Sequence, residues 1–345
     1  MTKRERDVEN ADRYEDPYDL YERAFDPLYS DRRGRGQHGL RPRHFPRPKE
    51  EETAAQLAEL TPLDFGFETT YRPGRHEAPW LLSSLRAFYD NELITDILAL
   101  IRGGKEASVY RCAAHPTLGV PFLAAKVYRP HELRTMRNDA VYRRGRQILA
   151  SDGHAVKKTD HRIMRAIGKK SAFGIQVMHV SWLMHEYTAM ARLHRAGGAV
   201  PQPVSSSENA ILMSYHGDGQ MAAPTLNEVD LKPNEARPLF REVLRNVRLM
   251  LEQDMIHGDL SAYNILYWEG QITLIDFPQV VNSAGNDDAY GLLERDIERV
   301  CDYFVRQGVS CDPGALTDEL WQTYVTKEGS NRLADESRLF AEMDA

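Results

Sequence analysis

Cysteine is scarce in this chain. Cys112, Cys301 and Cys311 are its three, with no CxxC spacing, which excludes a disulfide framework and a cysteine-based zinc site and fits a reducing compartment. Long apolar runs are missing as well. None approaches the roughly 20 residues that span a bilayer, and the opening MTKRERDVEN lacks the apolar stretch of a secretion signal. The expectation is a cytoplasmic protein with no membrane partner. Neither sign of charge dominates strongly: the formal charge is -7, so no global attraction to nucleic acid or anionic lipid exists, although a local basic patch can still supply one.

What is present suffices for a sizeable core. With 345 residues, 42% hydrophobic and 28% charged, the chain is long enough for a two-lobed domain, or two domains, plus a tail. Residues 1–75 are rich in Asp, Glu, Arg, Pro and Gly without sustained apolar period, and read as a disordered or loosely docked charged tail. Within it, RRGRGQHGLRPRHFPRPK at 32–49 carries seven Arg or Lys and no acidic residue. Such a segment can grip phosphates, as in a ribosome or RNA contact, or can be a solvated linker.

Ordered structure is expected from residue 76. Leu81, Leu82, Leu85 and Phe88 recur at helical spacing, and a β-like run follows. ASVYRCAA and VPFLAAKVYR then read as strands joined through HPTLG, with the Pro and Gly of a turn, which predicts an antiparallel meander. Residues 131–176 are polar and basic with little period, so a long mobile insertion is expected there. A helix over 177–196 is closed by Gly197 and Gly198. ENAILMSYHGDG reads as a strand entering a linker. From 216 onward, Leu239, Phe240, Val243, Leu244, Val247 and Leu251 mark one helix, and LLERDIERVCDYFVRQG opens a mostly helical remainder. The fold class expected is α+β: a small antiparallel β lobe over 76–215, then a larger helical lobe over 216–345.

The chemistry concentrates in MIHGDLSAYNILYWEGQITLIDFPQ, residues 255–279. Phosphoryl transfer needs a carboxylate at the attacking hydroxyl, oxygen ligands for Mg²⁺, and a cation on the nucleotide phosphates. Asp259 and Asn264 have the HxDxxxxN spacing of a kinase catalytic loop, where the Asp orients or deprotonates the nucleophile and the Asn binds metal. A hairpin turning at Gly270 returns Asp276 beside that loop at the end of an apolar strand. Hard oxygen ligands at neighbouring strand ends suit Mg²⁺. Upstream, AAKVY sets Lys126 between apolar residues, a costly place for an ammonium without a counter-ion, and Glu186 on the 177–196 helix supplies one. Before it, IRGGKEASVY places Gly103 and Gly104 where backbone N–H groups can approach phosphates. The pattern is not that of an ordinary protein kinase: there is no GxGxxG, Ser261 stands where a lysine is usual two residues after the catalytic Asp, DFP replaces DFG, and no activation segment with APE follows.

In this order, GKEASVY, AAKVY, SWLMHEY, MAAPTL, HGDLSAYNILY and LIDFPQVV resemble the RIO family of atypical serine/threonine protein kinases, over roughly residues 80–325. The catalytic loop is similar to RIO1-type members, and IDFPQ looks more like RIO2-type ones. The resemblance implies a two-lobed kinase fold that binds ATP and Mg²⁺, with Asp259 catalytic and Asn264 and Asp276 as metal ligands. It also implies that Lys126, paired with Glu186, holds the phosphates. The nucleotide site would take in Gly103, Gly104, Lys105 and Ser108, and the linker LMSYHG, with Met213 and Tyr215, would face the adenine. The family's usual Ser-Thr-Gly before KEA is Arg102-Gly103-Gly104 here. Family members act in small-subunit ribosome maturation. The protein substrate is not legible, and the chain itself is one candidate. Two other readings stay open. Small-molecule phosphotransferases of the aminoglycoside or choline kinase kind share HGD, the Asn and IDF, but are not expected to carry GKEASVY or MAAPTL. An RNA-binding assembly factor with a regulatory nucleotide site would lean on the basic 32–49 segment.

Overall fold

The computed structural model describes residues 69–75, 77–104, 106–129, 147–157, 159–169, 171–284 and 286–326. The basic 32–49 segment, Lys105 and residues 131–146, 158 and 170 of the expected 131–176 insertion lie outside the described residues. Among them the helices are α1 (Ala78–Asp90), α2 (His161–Gly168), α3 (Ala172–Arg195), α4 (Pro233–Glu252), α5 (Ala289–Arg306) and α6 (Pro313–Leu320).

Strands β1 (Ile94–Gly103), β2 (Ala107–Ala114), β3 (Phe122–Tyr128), β4 (Pro203–Ser206) and β5 (Ala210–Ser214) form one antiparallel sheet, ordered β1-β2-β3-β5-β4. The first three make the expected meander. Between β2 and β3 the chain turns through Pro116–Leu118 and leaves at Gly119, whose φ of 68° is a left-handed conformation open to glycine. Alternation along β3 gives the sheet two different faces. Leu123, Ala125 and Val127 join Ile97, Tyr110, Cys112 and Leu212 in a core sealed by Leu81, Leu85 and Phe88 of α1. Each of those three α1 side chains is essentially fully buried, a contribution of about 1.5–3 kcal/mol apiece. Tyr128 belongs to the other, larger core, which it shares with Leu183 and Met190 of α3, Val243 and Met250 of α4, and Ile297 and Phe304 of α5. The result is a two-lobed α+β architecture, a sheet lobe followed by a mainly helical one.

Two short hairpin-like pairings shape the segment between α4 and α5: β6 (Met255–Ile256) with β9 (Val281–Asn282), and β7 (Ile265–Trp268) with β8 (Gln271–Leu274). The β7–β8 turn has Glu269 and Gly270 both at positive φ, 49° and 81°, the backbone a two-residue hairpin of matching twist requires.

Three expectations need correcting. The 131–176 stretch is not featureless where it is described: α2 lies inside it, and α3 starts at Ala172, where Ser171 caps it by accepting the Gly174 N–H. The AFGIQ opening carries too little apolar period to reveal those extra turns. Residues 69–75 are docked on the sheet. The Tyr71 N–H donates to the Ile97 carbonyl (2.8 Å), and Thr70 donates through N and Oγ1 to the Asp96 carboxylate (2.8 and 2.5 Å). Seven residues are too few for any period to announce this. Finally, Cys301 of α5 and Cys311 before α6 form a disulfide, their Cα atoms 5.8 Å apart, a proximity created by the α5–α6 turn and invisible in the spacing. Cys112 is free and buried.

Candidate functional site

The site begins with register. Lys126 pairs with Val109 of β2 and Ile211 of β5, so it stands in the middle strand of the sheet, on the face opposite Val127. That face meets α3. There the Lys126 Nζ donates to Glu186 Oε1 at 2.6 Å and to Asp276 Oδ1 at 2.5 Å, joining three segments remote in the chain. Burial alone works against a charged Lys126, but Asp276 and then Glu186 outweigh it and hold the ammonium well above the ordinary lysine range. Glu186, nearly inaccessible, is raised by burial against the opposing pull of Lys126. Asp276 is lowered, because Lys126 outweighs the cost of its burial. One cation against two carboxylates leaves the cluster net negative. Asp276 also has a φ of 72°, a left-handed backbone that a non-glycine residue adopts only where its surroundings impose it.

The loop that carries Asp259 is pinned from several sides. Asn264 Nδ2 donates to the Asp259 carbonyl (2.8 Å) and to its Oδ2 (3.3 Å), while Arg299 Nη1 of α5 donates to Oδ1 at 2.8 Å. The Asp296 carboxylate, also on α5, accepts the N–H of Gly258 (2.7 Å) and of Leu260 (2.9 Å), and Arg295 donates to the Gly258 carbonyl. On the other flank, His257 Nε2 donates to the Ile275 carbonyl (3.1 Å), and the Ile275 N–H donates to the Asn264 carbonyl (3.0 Å). Those two bonds tie the Asp259 loop to the residue before Asp276. Burial lowers the His257 pKa, which keeps the imidazole neutral. Because Asn264 turns its amide nitrogen to Asp259, its amide oxygen is the atom with which it can hold a cation.

The remaining expected residues divide. Gly103 pairs with Ser108 at the end of β1, and a Cβ on Gly104 would lie 2.7 Å from the Ala107 carbonyl, so this turn closes on itself too tightly for a side chain. Met213 pairs with Ala124 and shares the Lys126 face of the sheet. Tyr215 follows β5 and packs edge-on against Phe122, and the Arg111 guanidinium sits 5.2 Å from the Phe122 centroid and 6.0 Å from that of Tyr215. Arg111 also donates to the carbonyls of Asp218 and Gly219, which braces the linker. Ser108 is a correction. It pairs with Val127, and the period of two turns its buried side chain to the α1 face, away from Lys126. Lys105 lies outside the described residues.

Tyr128, Asp296 and Arg299 escape a reading of the sequence by motif. The Tyr128 hydroxyl donates to Glu186 Oε2, and its ring meets Trp182 edge-on at 4.8 Å. A signal for the two α5 residues does exist. Leu292, Asp296, Arg299 and Tyr303 share one helical face, and all four are buried, so a charged pair interrupts the apolar stripe where a core wants aliphatic groups.

A RIO domain is matched over residues 123–316. The chain is 29% identical over 243 residues to a fission yeast (Schizosaccharomyces pombe) protein named serine/threonine-protein kinase rio1, covering 70% of this chain and 44% of that one. It is 29% identical over 239 residues to the RIO-type serine/threonine-protein kinase Rio1 of Haloferax volcanii, covering 68% and 71% respectively. A human protein named serine/threonine-protein kinase RIO3 shares 32% over 166 residues, 48% of this chain and 31% of that one. The chain thus spans less than half the length of some relatives. Among solved structures, the Rio2 kinase of Chaetomium thermophilum, in an ADP/Mg²⁺-phosphoaspartate complex, aligns with a TM-score of 0.49 at 18% identity over 79% of this chain and 75% of that one. The matched domain runs from the strand that bears Lys126, through the Asp259 loop and Asp276, into the helix after Arg299, and on that match the chain belongs to the RIO kinase family.

Proposed function

We propose that this chain transfers the γ-phosphoryl group of Mg-ATP to a serine or threonine hydroxyl, or to water. The carrying observation is the Lys126–Glu186–Asp276 junction, where a mostly buried lysine is held by two carboxylates from remote segments. Lys126 and Glu186 are largely withdrawn from water while Asp276 stays 38% exposed, so the charged cluster opens to solvent on the Asp276 side, where a ligand can reach it. The residues fit a nucleotide and a hard cation. The net negative charge and the oxygens of Asp276 and Asn264 suit Mg²⁺, and the Gly103–Gly104 turn leaves backbone open to phosphate. Bound there, the metal neutralises charge on the phosphates. Lys126 then serves the phosphates, Glu186 keeps it in place, and Met213 and Tyr215 border the adenine. Asp259, fixed by Asn264 and Arg299, orients the attacking hydroxyl and accepts its proton. The relatives' names favour a protein over a small-molecule acceptor. A cytoplasmic location and a ribosome or RNA contact through 32–49 belong to the same proposal.

The test separates the two aspartates. Asp276→Ala should weaken Mg-ATP binding at least tenfold and raise the Mg²⁺ requirement. Asp259→Ala should leave the Mg-ATP Kd nearly unchanged and cut turnover by on the order of 10²-fold or more, as for loss of a positioned base. Calorimetric titration beside ADP release measures both. If Asp259→Ala abolishes binding while Asp276→Ala spares binding and turnover, the assignment is wrong.

A further inference from the structure

We infer that Arg299 is a positioning residue for the reaction, the cation that orients the Asp259 carboxylate and holds positive charge beside the reacting centre. This rests on the reading of Asp259 as the group that meets the attacking hydroxyl. One turn of α5 does two separable jobs. Asp296 and Arg295 bind the backbone of Gly258 and Leu260, which fixes the course of the loop. Arg299, one turn further on, reaches past the backbone to the Asp259 side chain, at 2.8 Å from Oδ1. Asp296 and Arg295 thus hold the loop through its backbone, whereas Arg299 holds the carboxylate itself. Arg299 holds Oδ1 at 2.8 Å, and Asn264 Nδ2 keeps a longer 3.3 Å contact to Oδ2. The pair is well out of water, its side chains 6% and 16% exposed, and a charge interaction is strong there and needs no reorganisation during reaction. Ser261, two residues beyond Asp259, supplies no cation. It is buried, and its hydroxyl accepts the Tyr263 N–H. The cation at the Asp259 carboxylate thus comes from a helix distant in sequence, separate from Lys126.

The experiment compares Arg299→Met, Arg299→Lys and Asp259→Asn in the full chain, with ADP release from Mg-ATP for kcat and KM, and calorimetry for the Mg-ATP Kd. Arg299→Met should lower kcat by about 10- to 100-fold with KM and Kd within about threefold, and Arg299→Lys should recover most of the loss. In the Asp259→Asn background, Arg299→Met should add little, since both act through one carboxylate. If Arg299→Met fails to fold, Arg299→Gln, which keeps a donor without the charge, is read in the same way. Wild-type kcat in the neutral variants overturns the proposal. So does parallel loss of binding and turnover in Met and Lys variants alike, which marks a scaffold role. Wild-type turnover by Asp259→Asn instead sinks the underlying reading of Asp259, and the proposal with it.

Discussion

Tyr128 shows how much one hydroxyl can decide. Its ring is walled in by Trp182 and lies 6.2 Å from His179, and its hydroxyl holds the Glu186 oxygen that Lys126 does not. Burial, then Glu186, pushes the phenol well above its ordinary pKa, so it stays a donor across the physiological range. His179, Trp182 and Glu186 sit at i, i+3 and i+7 of α3, one helical face, so Tyr128 sets where that helix lies against β3. Tyr128→Phe keeps the ring and removes the donor. It should cost about 1.5–3 kcal/mol of stability, as for a hydrogen bond to a charged group, and weaken Mg-ATP binding severalfold through a misplaced Glu186. Thermal melting and calorimetry check this, and unchanged values in both would show that the hydroxyl does not position the carboxylate.

At the level of elements, α5 is the scaffold of the loop, and Asp296 is its central post. Burial pushes this carboxyl up to about 7, against Arg295 and the two backbone donors, while in an unfolded chain it titrates near 3.9. The folded state holds the proton more tightly. The contribution of Asp296 to stability is therefore greatest below about pH 4 and fades as pH rises through about 7. Asp296→Asn cannot accept both N–H groups equally and should cost about 1–3 kcal/mol at neutral pH, yet it should also flatten the decline in unfolding free energy between about pH 5 and 7.5. Urea titrations at several pH values measure this, and a slope as steep as the parent's would mean that the carboxyl ionises near its ordinary value. The β7–β8 hairpin is the second scaffold. It was legible because apolar alternation around a glycine turn is a local pattern, and its effect is to return Asp276 to the loop that precedes it.

For the molecule as a whole, the segment before α1 counts as part of the sheet lobe. A chain starting at 76 loses the Thr70–Asp96 bonds, the Tyr71 backbone bond to Ile97 and the Tyr71–Tyr110 ring contact at 5.7 Å. It should melt on the order of 5 °C below a chain starting at 69, while both bind Mg-ATP in the cold, because the proposed ligands lie beyond residue 102. Equal melting temperatures would return 69–75 to the tail. By itself the sequence determined what is local and periodic: the meander, the helices with one apolar face, the order of the motifs, and through them the kinase-like two-lobed class. It also singled out Lys126, Glu186, Asp259, Asn264 and Asp276 as candidates, because a polar residue in an apolar run, or a fixed spacing in a loop, can be seen without coordinates. Only the tertiary structure decided what depends on register and on contacts across long separations. Sheet pairing turned the Ser108 side chain to the α1 face, away from Lys126. The packing of α5 brought Asp296 and Arg299 to a loop nearly 40 residues earlier, and the α5–α6 turn joined Cys301 to Cys311. Those contacts arise when cores close, and closure depends on the whole chain's burial of apolar surface, which no short stretch of residues encodes.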